Sequence, residues 1–141
     1  MSGYDSDILE WSERQAALLR RRAAGDLVNE AELDWPNIAE EIEDVGRSEL
    51  HRVESLLVQA LRHMLKAEAW PLSRDAPSWR ADAIDFRQQA RRRFAPSMRP
   101  KIDVASLYAD ARRALPETMD GLPPLPNQSE IPTLDELLGT R

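Results

Sequence analysis

No cysteine occurs in the chain, which excludes disulfides, thiolate nucleophiles and cysteine zinc sites. With only two histidines, His51 and His63, a three-histidine metal site is ruled out. The five glycines form no phosphate-cradling loop and no Gly-x-Ser-x-Gly elbow, so nucleophilic catalysis has no recognisable home. Long apolar runs are missing too. Gln59, Arg62 and Lys66 interrupt the longest, and nothing approaches the ~20 residues of a membrane helix. The opening Met1-Ser2-Gly3-Tyr4-Asp5-Ser6-Asp7 has neither the basic nor the apolar region of a secretory signal. A cytoplasmic setting is the expectation, with no membrane involvement.

Charge is abundant but unevenly placed. The net charge is -6, made of -8 over residues 1–50, +6 over 51–115 and -4 over 116–141. Acidic and basic segments facing each other, within the fold or across a dimer, explain this better than a nucleic-acid patch. The whole molecule is acidic and repels a polyanion at long range.

The apolar spacing is helical throughout. A first helix is expected from Asp5 or Asp7, both good caps, with Ile8, Trp11, Leu18 and Leu19 inward. It ends at Gly25-Asp26. Asp34-Trp35-Pro36 opens a second helix. Its apolar positions are Ile38, Ile42, Val45, Val53, Leu56, Leu57, Ala60, Leu61 and Met64, at gaps of three and four. Continuous to Ala69 it is ~50 Å long, against about 35–40 Å for a compact domain of this size. It is therefore expected to bend at Gly46 or to project onto another subunit.

A third helix is expected to be capped by Ser78, with Trp79, Ala83, Phe86, Ala90 and Phe94 as its inward stripe. A fourth is expected to be capped by Ser97 and to carry Met98, Ile102, Ala105, Ala109 and Leu115. Five prolines between 116 and 132 make that segment an extended wrap. Thr133-Leu134-Asp135-Glu136 matches a capping box for a last short helix through Leu138. The expectation is an all-α single domain over 1–141. It is a bundle of about four main helices (core 5–115) closed by a proline-rich C-terminal wrap (116–141) and a short final helix.

Several strings are characteristic. These are Tyr4-Asp5-x-Asp7 followed by Trp11 and Gln15-Ala16-x-Leu18-Leu19, the central Asn37-Ile38-Ala39-Glu40-Glu41-Ile42-Glu43-Asp44-Val45-Gly46-Arg47-Ser48-Glu49, and then His63-Met64-Leu65-Lys66, Arg74, Ser78-Trp79 and Arg87. On them the chain resembles the bacterial domain-of-unknown-function family number 29, from Tyr4 to about Leu138. The resemblance implies a helical bacterial protein and brings no activity or ligand with it. Ile131-Pro132-Thr133 stands where the family's pattern has a Cys-Pro-Tyr-like turn, so no cysteine role carries over.

The candidate chemistry lies on the second helix. Glu40, Glu43, Asp44, Arg47, His51 and Glu54 share about a third of its circumference, opposite Ile38, Ile42, Val45 and Val53. One reading is a metal or acid–base site. The other is a solvated face of ion pairs, Glu43 with Arg47 and Arg47 with Glu54. Spacing favours the second. Asp44 and His51 are about 10 Å apart along the axis. Ser48 and Ala60 stand where the Glu-x-x-His motif of di-iron bundles needs glutamate. Were part of the stripe buried, Glu40 or Glu43 would pair with Arg74 or Arg87.

His63 reads as a satisfied, partly buried histidine. Trp35, Trp70 and Trp79 read as locks on the corners of the core. Arg87, Arg91, Arg92 and Arg93 offer a nucleic-acid surface, disfavoured by the net charge and by Phe86 and Phe94 lying at core spacing. The expected function is a protein-interaction or self-associating module. A metal-dependent or acid–base enzyme on the stripe is the alternative. No cofactor is expected.

Overall fold

The computed structural model describes residues 3–127 and 129–139. Every regular element among them is helical. They are α1 (Ile8–Ala23), α2 (Trp35–Ala69), α3 (Ala76–Arg93), α4 (Val104–Arg113) and α5 (Leu134–Leu138), with 3-10 turns at Glu30–Glu32 and Pro96–Lys101. The chain divides into two compact units, Met1–Arg47 and Ser48–Arg141. Helix α2 contributes to both, and its helical hydrogen bonding continues without interruption through Gly46.

The first unit is built on α1. The Asp7 side chain caps it by accepting from Glu10 N at 3.0 Å, and Arg20, Arg21 and Arg22 suit its negative end. Trp11, Gln15 and Leu18 are the buried residues of α1, at spacings of four and three that place them on one line. Ile8 and Leu19 lie at the edges of that line, so Ile8 is exposed and Leu19 half-buried instead of inward. The buried amide of Gln15 organises the chain that follows. It donates to Glu32 O at 3.1 Å and accepts from Asp34 N at 2.9 Å. Asp34 also accepts from Trp11 Nε1 at 3.0 Å and from Asn37 at 2.8 Å. Trp11, Leu18, Leu33 and Ile38 form the core of this unit.

Two apolar expectations fail on α2. Ile42 and Val45, placed on its inward face by spacing, are each 69% exposed. Periodicity defines an apolar face but not what covers it, and within the first unit the cover ends at Ile38. Trp35 is likewise 44% exposed, with the Arg22 guanidinium 5.9 Å over its ring. It does not lock a corner.

The second unit packs around Val53, Leu57 and Leu61 of α2, which are 0–1% exposed. Ala90, Leu107, Ala111, Leu134, Leu137 and Leu138 join them from α3, α4 and α5. Helix α3 starts at Ala76 after Asp75, not at Ser78, because Pro77 fits its first turn. Trp70 and Trp79 are buried together with Ala67, Ala69 and Ala76.

Ser97 caps no α-helix. Pro96–Lys101 form a 3-10 turn instead, and Asp103 caps α4 by accepting from Ser106 N. This later start resets the register. Leu107, Tyr108 and Ala111 are buried, while Ala105 and Ala109 are exposed.

The proline-rich segment is pinned to its own unit. Leu125 N donates to Ala69 O at 3.0 Å, Ser129 N to Glu68 at 3.2 Å, and Asn127 bonds the Tyr108 hydroxyl. Helix α5 has the expected capping box at Thr133 and Glu136, and Gly139, at φ 70°, ends it.

Candidate functional site

The polar stripe on α2 is divided between the units. Glu40, Glu43, Asp44 and Arg47 belong to the first, His51 and Glu54 to the second. Arg47 is the hub of the first set. Its Nε donates to Asp44 Oδ1 at 3.0 Å and its Nη2 to Glu40 Oε1 at 2.7 Å. The same Nη2 bonds Asp44, and Glu43 Oε2 lies 3.7 Å from Nη1. The Arg47–Glu43 pairing expected from spacing is present. The guanidinium otherwise reaches back along the helix to Glu40 and Asp44, not forward to Glu54. The bond to Asp44 is the main cause raising the Arg47 pKa, against an opposing desolvation. All four side chains are 42–66% exposed, so solvent screens each pair and its contribution to stability is small.

Tyr4 closes the edge of this network and was not foreseen as a site residue. Its hydroxyl donates to Glu41 Oε1 at 2.6 Å, and its ring meets Trp11 edge-on with centroids 4.8 Å apart. The bond to Glu41 is the first cause pushing the Tyr4 pKa up to about 12, with desolvation and the charges of Glu41, Asp44 and Glu40 adding to it. Residues 37 positions apart leave no local spacing signal. The only hint was that both lie in strings that carry the family resemblance.

Among the described residues, no group of three or more His, Asp or Glu is placed to hold a metal ion. His51 is exposed. His63 is 19% exposed. Its Nδ1 is 2.8 Å from Gln59 O, its ring is 5.4 Å from Phe86, and Nε2 is 3.8 Å from Asp82.

Arg74 and Arg87 were to meet Glu40 or Glu43 only if part of the stripe were buried, and Glu40 and Glu43 are 51% and 66% exposed. Arg87 Nε donates to Leu137 O at 2.9 Å and its Nη2 to Glu136 O at 2.8 Å. It thereby meets carbonyls at the end of α5, of which Glu136 O also accepts from Gly139 N at 3.3 Å. Arg74 lines a cleft beside Trp70. On α3, Arg93 faces Glu49 at 3.6 Å and Arg92 Nε reaches Gln88 O at 3.4 Å, so the basic run is partly engaged within its own unit.

Across α2 from the Arg47 network lies an uncovered apolar face. Trp35, Ala39, Ile42, Val45 and Gly46 of α2 are all exposed and fall within about 120° of arc.

These features define an all-helical protein with an ion-paired cluster of Glu40, Glu43, Asp44 and Arg47 on α2. The chain belongs to the family described as Domain of unknown function DUF29, whose profile matches residues 3–140. It is similar to a solved α-helical protein of unknown function from Rhodospirillum rubrum ATCC 11170. That similarity has 30% identity and a TM-score of 0.65, and covers 96% of this chain and 88% of that one. No curated protein matches. No described helix is long and apolar enough to cross a membrane.

Proposed function

We propose that this protein is a self-associating interaction module, and that its contact surface is the open face of α2 around Ile42 and Val45. One observation carries the reading: two large aliphatic side chains one turn apart, each 69% exposed, on a helix whose amphipathic pattern calls for burial there. Single exposed apolar residues are ordinary. An aligned set with Trp35 at one end, and Ala39 and Gly46 allowing close backbone approach, fits a helix partner.

The occupant is a second copy of this chain, with its α2 antiparallel to the first. Along the helix Glu40 and Glu41 precede Ile42, while Glu43, Asp44, Arg47, Glu49 and Arg52 follow it. An antiparallel copy brings Glu40 and Glu41 of one chain toward Arg47 and Arg52 of the other, whereas a parallel copy sets Glu40 and Glu41 against their own counterparts. A twofold arrangement also makes the contact self-complementary, the usual form of small homo-oligomers. The carboxylates of the stripe lie on the other side of α2, where Glu40, Glu43 and Asp44 share Arg47. Their engagement by Arg47 makes the metal or acid–base reading of the same residues the weaker one.

The natural absence of cysteine provides a clean test. Ile42→Cys, at the middle of the face, is expected to oxidise to a covalent dimer under mild conditions. Ala81→Cys, exposed on α3, is expected to remain monomeric on denaturing gels. Equal cross-linking at both positions, or none at position 42, contradicts the proposal.

A further inference from the structure

The second unit contains a cleft that the α2 face does not involve. It has a volume of about 560 Å³, within the range of small-molecule sites. Trp70, Leu72, Met119, Leu122 and Leu125 supply most of its wall.

Its shape is fixed by two backbone devices. Met119 and Leu122 exchange both N–H···O bonds at 2.9 Å. The residues between them, Asp120 and Gly121, have φ of 54° and 78°. Two consecutive positive φ values make this the tight turn for which Asp-Gly is a preferred pair. Leu122 O also accepts from Trp70 Nε1 at 3.1 Å, tying the turn to the end of α2. The cleft is therefore held open by bonded walls.

The wall is nonetheless uncovered. Leu72 is 97% exposed, Leu122 61% and Leu125 55%. Two charged residues line it, Arg74 and Asp120. The turn accounts for Asp120, since aspartate tolerates its left-handed backbone. No local structure accounts for Arg74, and no carboxylate among the described residues pairs with it.

We infer that this cleft binds a small molecule with an apolar body and a single carboxylate, of the medium-chain fatty-acid type. The body lies against Trp70 and the exposed leucines, and the carboxylate meets the Arg74 guanidinium. Apolar burial provides most of the affinity. The charge contact selects the acid over its neutral analogue. Because Arg74 is exposed, its contribution is that of a solvated ion pair, about fivefold in affinity.

Titration of the full-length chain with octanoate, and separately with octanol, tests the inference, read from the Trp70 indole N–H resonance by NMR. Octanoate is expected to bind saturably well below its micelle concentration and to shift that signal. Arg74→Gln is expected to weaken octanoate about fivefold while leaving octanol unchanged. Leu72→Glu, at a site too exposed to matter for folding, is expected to weaken both ligands. Absence of saturable octanoate binding overturns the inference, as does binding indifferent to Leu72→Glu. An equal effect of Arg74→Gln on both ligands overturns the assignment of the carboxylate.

Discussion

Tyr4 and Arg87 act far from their own neighbourhoods in sequence. Tyr4 donates to Glu41, and its pKa is raised to about 12 from 10.0. A raised acid pKa means that folding favours the protonated phenol. The stabilisation is complete below pH ~10 and is lost as pH rises from there through ~12. Ultraviolet titration of the phenols in the wild type and in Glu41→Gln checks this. One of the two tyrosines is expected to ionise near pH 12 in the wild type and to fall back toward 10 in the variant. For Arg87→Gln, which removes the bonds to Leu137 O and Glu136 O, a loss of about 1–2 kcal/mol in urea unfolding is expected. The Glu43–Arg47 pair was legible in the sequence because helical spacing dictates it. Tyr4–Glu41 and Arg87–Leu137 were not, because only the fold brings residues 37 and 50 positions apart together.

At the scale of elements, the caps with side-chain acceptors were the most readable features. Asp7 and Thr133 both act as their residue types and positions demand. Thr133→Ala is expected to cost about 1 kcal/mol, seen as faster amide exchange in α5 ahead of any loss elsewhere. Elsewhere the reading failed on local backbone. The expected start of a fourth helix at Ser97 is a 3-10 turn, Pro96–Lys101, and α4 begins only after Asp103. Asp120-Gly121 carried a hairpin-turn signal inside a segment read only as proline-rich. Ile42 and Val45 failed differently. Their helical face was identified correctly, but its exposure depends on what packs there, and no single-chain pattern encodes that. Leu57 is the opposite case. It sits on the same apolar pattern and is fully buried, so Leu57→Ala is expected to cost about 2–5 kcal/mol by the same unfolding assay.

For the whole molecule, the separation of charge into acidic, basic and acidic stretches coexists with an exposed apolar face on α2. The proposed association of two copies draws on both. Arg47 engages Glu40, Glu43 and Asp44, and no group among the described residues is placed to hold a metal ion, so melting curves with and without chelator are expected to coincide. A fall in melting temperature on chelation would instead make the carboxylates a metal site. The central claim is self-association through α2, and sedimentation equilibrium of the full-length chain tests it most directly, comparing the wild type with Ile42→Glu. The account predicts a concentration-dependent dimer for the wild type and a monomer for Ile42→Glu with unchanged helicity by circular dichroism. A wild type that remains monomeric across the micromolar range, or a dimer that Ile42→Glu leaves intact, contradicts it.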